Sequence, residues 1–339
     1  MKIGVLASFR AANTVYRAVP VVRLGARGHG IVLDRDGEGR DHSALLSCDV
    51  VHIARFHGAT TQRLAQTLKQ RGVAVVWDGD DDYTAVPEHA RGRLRRGALR
   101  EQQMLRDVAR MVSAADLVTT TSEPLAELYR SLGAARTRVI PNYLPDAFGM
   151  VDARERAADG TVTVGWIASS EHQHDMEVLG LSETLARLLE ARPELRVASV
   201  GIRFDLPSDR YRHLMMVQHR DLADHVAATF DIGLAPLDDI PFNRARSDVK
   251  VKEYAIAGVP WLASPIGPYR GLGEKQGGRL VPADGWYDAI DRLVVKEKER
   301  RKLAKRGLSW ARTQLVSRNL APWEAAMTEA VELARAGAR

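Results

Sequence analysis

The sequence predicts an α/β protein made of two doubly wound parallel sheets with a cleft between them. Three observations carry that reading. Short β-branched runs alternate with helical periods along the chain, the alternation halts around residues 145–160 and restarts, and 339 residues suffice for two cores rather than one.

In the first half, residues 3–7, 50–54, 73–77 and 117–121 read as buried strands, with a shorter one at 138–140. Helical stretches such as 61–71 lie between them. Residues 122–133 show the local logic: Ser122 can cap, Leu125, Leu128, Tyr129 and Leu132 share one face, and Gly133 ends the helix. After the break, strands are predicted at 161–168, 195–201, 231–236, 259–263 and 279–281. The boundary is set at residue 155. Strand–helix alternation of this kind covers a parallel sheet on both faces and puts ligands beyond the carboxyl ends of its strands, so chemistry is sought just after each strand.

Composition narrows the class. At 45% hydrophobic and 27% charged, the chain has the makings of an ordinary globular core. No run of eighteen apolar residues predicts a membrane span, and the N-terminal MKIGVLASFR reads as a first strand rather than a secretion signal. The single cysteine, Cys48, leaves no internal disulfide or cysteine metal cluster to expect. A cytoplasmic protein is the expectation. The net charge of +6 is concentrated: residues 91–110 carry seven Arg against Glu101 and Asp107, and residues 296–306 carry seven Lys or Arg against Glu297 and Glu299. Such patches suit phosphates, nucleic acid or an anionic membrane face. Interleaved Glu and Lys make the second patch read as solvated helix surface; the first is open to either reading.

The most informative stretch is residues 230–269, FDIGLAPLDDIPFNRARSDVKVKEYAIAGVPWLASPIGPY. A strand ends at Ala235-Pro236, and a helix is predicted to start at Ser247, as its N-cap, and to close at Gly258. Arg244, Arg246, Lys250 and Lys252 crowd the helix start, where each cation opposes the dipole at a cost of about 0.3–1 kcal/mol. Either a bound phosphate completes this arrangement, or these are ordinary surface cations. Glu253, one to two turns further on, can accept hydrogen bonds from sugar hydroxyls or pair with Lys250 or Lys252.

Two strand ends in the first half also carry chemistry-bearing residues. Trp77-Asp78-Gly79-Asp80-Asp81-Asp82 places four carboxylates in five residues. They can bind an acceptor hydroxyl, orient a base, hold a divalent cation or form a solvated, capping turn. Arg55-Phe56-His57 follows another strand; His57 and His52 are candidate proton-handling groups or structural histidines. The loop Ser8-Phe9-Arg10-Ala11-Ala12-Asn13 lacks G-x-G-x-x-G, so a dinucleotide oxidoreductase is not expected.

Residues Glu253-Tyr254-Ala255-Ile256-Ala257-Gly258-Val259-Pro260 resemble the donor-binding motif of retaining nucleotide-sugar glycosyltransferases of GT-B fold, the superfamily that includes sucrose- and glycogen-type synthases. The acidic strand end resembles that of a bacterial and phage subgroup. The resemblance implies two Rossmann-like domains: an acceptor-side domain 1–155, a nucleotide-sugar domain 156–318, and a helix in 319–339 crossing back to the first domain. It gives Glu253 the donor's ribose hydroxyls. Where the family has a second Glu that touches the transferred sugar, this chain has Ala245, with Asn243 or Asp239 as substitutes. Val164-Gly165-Trp166-Ile167-Ala168-Ser169 resembles the family's first strand and loop of this domain, with His172 and His174 standing where it carries basic residues for the diphosphate. His219 and Arg220 precede the nucleobase pocket, and Gly267 lies in a loop near the sugar.

The implied reaction moves a sugar from a nucleotide-diphosphate donor to an acceptor hydroxyl, with no cofactor, no metal and retained configuration. Lys250, Arg246 and the helix start, with Ser247, would neutralise the leaving diphosphate. Asp80, Asp81 and His57 are the remaining catalytic candidates, while Arg55, Asp82, Arg93, Arg95 and Arg96 fall on the acceptor side. Saccharide, lipid-linked and nucleic-acid acceptors stay open, including a polyanion such as DNA with hydroxylated bases. Two further alternatives are a metal-dependent GT-A transferase using Asp80 and Asp82, and a non-catalytic nucleotide-sugar or polyanion-binding protein.

Overall fold

The computed structural model describes residues 1–9, 14–34, 41–87, 98–151 and 160–337. Two parallel sheets, each six-stranded among the described residues, form an α/β architecture. The first comprises β1 (Lys2–Leu6), β2 (Gly30–Asp34), β3 (Val50–Ala54), β4 (Ala74–Asp78), β5 (Leu117–Thr120) and β6 (Thr137–Val139), in the order β2-β1-β3-β4-β5-β6. The second comprises β7 (Val162–Ala168), β8 (Leu195–Gly201), β9 (Tyr211–Leu214), β10 (Ile232–Ala235), β11 (Trp261–Ala263) and β12 (Gly278–Leu280), in the order β12-β11-β10-β7-β8-β9. The order reverses between β1 and β3 in one sheet and between β10 and β7 in the other. The carboxyl ends of those strands are where a doubly wound sheet opens a ligand crevice. The interdomain boundary near residue 155 lies outside the described residues.

β3, β4 and β10 are buried along their whole length, which is why they read in sequence as mainly apolar runs, with His52 and Asp78 as buried polar exceptions. β2 and β9 escaped the sequence reading. Both are edge strands with partly exposed side chains: β2 offers only the short apolar run Ile31-Val32-Leu33, and β9 places Arg212 and His213 between Tyr211 and Leu214.

Helices cover both faces of each sheet. The helix Ala321–Gly337 lays Trp323, Ala326, Met327 and Ala330 on the first sheet, in one cluster with Ile3, Val5, Val50, Val76 and Leu117. Each such large side chain contributes about 1.5–3 kcal/mol when fully buried. The sequence at 122–133 folds as the helix Glu123–Ser131, but Ser122 does not cap it. Its hydroxyl instead donates to the Ala245 carbonyl of the other domain, at 2.8 Å.

Candidate active site

On the first domain, the four carboxylates at the end of β4 and just after it divide into three environments. Asp78 is fully buried and receives Arg17 in a fork, Nε at 3.0 Å and Nη2 at 2.6 Å, while the Thr119 hydroxyl donates at 2.6 Å. Burial would raise the Asp78 carboxyl, but the Arg17 guanidinium holds it well below the usual carboxylate range. Arg17 also donates to the Ile140 carbonyl and the Asn142 side chain, and its guanidinium lies 4.6 Å from the Trp323 ring centre. The ion pair therefore fixes the helix Thr14–Arg23 against β4 and the chain after β6. Asp82 is a turn cap, accepting from the Thr84 N–H and hydroxyl and the Ala85 N–H.

Only Asp80 and Asp81 reach the cleft. Arg55 bridges them, Nη2 donating to Asp81 at 2.5 Å and Nε lying 3.3 Å from Asp80. It also donates to the Tyr83 hydroxyl at 3.3 Å. Burial raises the Asp80 carboxyl, with Arg55 opposing and Asp81 and Asp78 adding to the shift; burial likewise pushes the Tyr83 phenol up to about 12. Arg55 has φ +67°, the one positive-φ non-glycine among the described residues. Strain of this kind costs about 1–3 kcal/mol and persists only where the surroundings enforce it. Here the Arg55 N–H is tied to the Asp78 carbonyl at 2.9 Å.

The two histidines of β3 and its loop lie elsewhere. His57 donates from Nδ1 to the Arg55 carbonyl at 2.8 Å and does not line the cleft. His52 is fully buried, edge-on to Trp323 and 3.9 Å from Asp78, too far for a hydrogen bond. Among the described residues no group of three His, Cys, Asp or Glu side chains is arranged to hold a metal ion. Arg93, Arg95 and Arg96 lie outside the described residues.

On the second domain, the helix Val249–Ile256 begins one residue past Asp248, and neither Ser247 nor Asp248 caps it with a side-chain hydrogen bond. Ser247 instead accepts from the Asn142 side chain at 3.0 Å. The crowded cations are internally compensated: Arg244 pairs with Asp239, Lys250 with Glu253, and Lys252 with Asp248. The helix start thus does not depend on a bound anion to balance it. Arg246 is held most loosely, with Glu171 at 3.5 Å and Phe242 beneath its guanidinium.

Glu253 is 4% exposed and has both oxygens engaged. Lys250 donates to Oε2 at 2.8 Å, and Tyr16, from the first domain, donates to Oε1 at 2.5 Å. With its one proton on Glu253, the Tyr16 hydroxyl accepts from His219 Nε2 at 2.6 Å. Burial, then the Glu253 charge, drives the Tyr16 phenol well above its ordinary value; burial also lowers His219, against the Glu253 charge. His219 stacks on Phe148.

The remaining candidates scatter. Gly165 sits inside β7, where an added Cβ would lie 2.3 Å from the Phe230 ring, so it serves close packing rather than a phosphate loop. Trp166 is buried beside it and lines a small hollow. The Ser169 hydroxyl bonds Glu171, which also faces Arg246. Asn243 is buried, donating to Asp175 at 2.7 Å and the Asp238 carbonyl, so it braces a loop instead of facing the cleft. Ala245 is buried against the first domain's core. His174 pairs with Asp238, and Arg220 is an exposed partner of Asp221. Gly267, at φ +49°, passes so close to Arg244 that a Cβ would lie 2.8 Å from its Cα.

Two adjoining cavities result. The larger, about 370 Å³, is lined by Tyr16, Arg55, Asp80, Asp81 and Asn142 from one domain and Glu171, Arg246, Ser247 and Val249 from the other. The smaller, about 70 Å³, shares Arg246, Ser247 and Val249 and adds Trp166, His172 and Lys250. They lie at the strand ends where the sheet orders reverse. Sequence reasoning missed Tyr16, Asn142, Glu171 and Asp175. A phenol or arginine on an otherwise apolar helix face, as in Thr14–Arg23, was the available signal.

No protein-family description and no curated protein sequence matches the chain. Solved structures do. Sucrose-phosphate synthase from Thermosynechococcus elongatus superposes with TM-score 0.63 at 17% identity, covering 99% of this chain and 98% of its own. An alpha-glucosyltransferase in complex with UDP gives TM-score 0.64 at 10% identity, covering 97% and 100%. Anabaena HepE in complex with UDP gives 0.59 at 14% identity, covering 96% and 99%. At these identities the likeness establishes the two-domain GT-B fold. No helix among the described residues is long and apolar enough to cross a membrane.

Proposed function

We propose that the chain is a glycosyltransferase that moves a sugar from a nucleotide-diphosphate donor to an acceptor hydroxyl. The observation that carries this is the pairing, across one 370 Å³ cleft, of Arg246 and the start of the helix Val249–Ile256 with the Asp80–Arg55–Asp81 constellation, with Lys250 lining the adjoining 70 Å³ cavity. Fold-level likeness to structures solved with UDP supports it.

Glu253 takes the donor's ribose hydroxyls, as the resemblance of residues 253–260 implies. Arg246, Lys250 and the N–H groups of the helix start stabilise charge on the departing diphosphate without reorganising during the reaction. The first domain offers the acceptor a polar wall. Asp80 and Asp81 accept hydrogen bonds from hydroxyls, and Arg55 fixes both carboxylates. This wall suits a hydroxyl-rich acceptor better than an apolar one. Retention and independence of metal rest on the resemblance alone. A division at residue 155, with the terminal helix returning at 319–339, suits closure of the cleft by a hinge.

A thermal-shift panel of nucleoside diphosphates and nucleotide sugars tests the reading. One nucleotide class should raise Tm in proportion to the logarithm of its concentration above Kd. No shift with any nucleotide at millimolar concentration would sink it.

A further inference from the structure

We infer that Tyr16 is a latch in the nucleotide site: its hydroxyl occupies the place of a ribose hydroxyl on Glu253, and a nucleotide binds only by displacing it. This rests on the assignment of Glu253 to the ribose.

The geometry is that of a filled site. Glu253 is almost wholly buried, and its two oxygens face Lys250 and Tyr16. A carboxylate in such a place needs a donor on each oxygen, and leaving one bare is costly. The first domain supplies the missing donor from 237 residues away in sequence. The Tyr16 ring is clustered with Leu144, Phe148, Leu222 and Tyr254, at the second domain's core. His219 locks the phenol from the other side, with its ring edge-on to Tyr16 and 5.1 Å away. Among the described residues Tyr16 is the one hydrogen-bond donor to Oε1, and His219 is turned to the Tyr16 hydroxyl.

Two consequences follow. A ribose hydroxyl replaces the Tyr16 hydroxyl one for one, so a ribonucleotide leaves Glu253 satisfied after the exchange. A nucleotide without ribose hydroxyls would remove Tyr16 and leave a buried carboxylate oxygen bare, so the latch selects for the diol. The exchange also separates the start of the helix Thr14–Arg23 from the second domain, which couples donor entry to movement between the domains.

The test uses the full-length protein and the nucleoside diphosphate that gives the largest thermal shift. Tyr16→Phe keeps the ring and removes the competing hydroxyl, so nucleotide affinity should rise about tenfold, the scale of one charged hydrogen bond. Glu253→Gln, measured alongside, should lower it. In protein labelled with 3-fluorotyrosine, the ¹⁹F resonance that Tyr16→Phe removes should shift at saturating nucleotide. Unchanged or weaker binding in Tyr16→Phe, with Glu253→Gln still weakened, overturns the latch and leaves the ribose assignment standing. Unchanged binding in both variants removes Glu253 from the nucleotide site, and the latch with it. A Tyr16 resonance that stays put at saturation also overturns it.

Discussion

Replacing Glu253 with Gln changes one atom in the site and should cost nucleotide affinity about tenfold. In the native side chain, Oε2 accepts from Lys250 at 2.8 Å and Oε1 from Tyr16 at 2.5 Å. The amide keeps one acceptor and turns two N–H donors toward a partner that is itself a donor. A hydrogen bond between a ribose hydroxyl and a charged acceptor is worth about 1.5–3 kcal/mol net, or roughly 10- to 150-fold in Kd. The same substitution weakens the Tyr16 contact that the nucleotide displaces, which offsets part of the loss and places the expectation at the lower end. Isothermal titration calorimetry of the nucleoside diphosphate against both proteins reads the difference directly. A Kd within twofold of wild type, with an unchanged Tm, would refute the reasoning.

Asp78→Asn strands the Arg17 guanidinium in the core, at about 3–5 kcal/mol, and should lower the melting temperature by roughly 10 °C. Because the folded Asp78 pKa lies below the unfolded value of about 3.9, its contribution is complete above that value and fades as pH falls toward the folded pKa. The gap in Tm between wild type and variant should therefore hold above about pH 4 and narrow as pH falls below it, and a constant gap would contradict the assignment. Gly165→Ala forces a methyl against Phe230 and should destabilise by about 1–3 kcal/mol; an unchanged melt would show that the strand yields. Transfer should persist in EDTA; loss restored by Mn²⁺ or Mg²⁺ would contradict the metal-independent reading. Reversing Arg93, Arg95 and Arg96 to Glu should spare donor affinity in the same calorimetric titration; a weakened donor Kd would move this patch off the acceptor side.

Much of the architecture could be read from sequence because buried parallel strands are apolar on both faces. The runs at β3, β4 and β10 announce themselves, while the edge strands β2 and β9 do not. The residues gathered at the two cavities were legible only where they follow a strand or stand at a helix start: Arg55, Asp80 and Asp81 in the first domain, Arg246 and Lys250 in the second. What sequence could not supply was long-range pairing. Tyr16 meets Glu253, Ser122 meets Ala245, and Asn142 meets Ser247 and Lys252, each across the two domains. These contacts also explain two misplaced caps, since Ser122 and Ser247 each spend their hydroxyl on the other domain. The acidic run reads as one feature in sequence, yet Asp78 is a core ion pair, Asp82 a turn cap, and only the middle two face the cleft. Nor does any residue pattern reveal that Arg55 adopts φ +67°.

A crystal structure with a bound nucleotide sugar tests the central claim most directly. The account predicts ribose hydroxyls within hydrogen-bond distance of Glu253 with Tyr16 moved away. It places the diphosphate between Arg246 and Lys250, and the sugar in the 370 Å³ cleft facing Asp80 and Asp81. A nucleotide bound elsewhere, or one in the cleft with Glu253 still held by Tyr16, would contradict it.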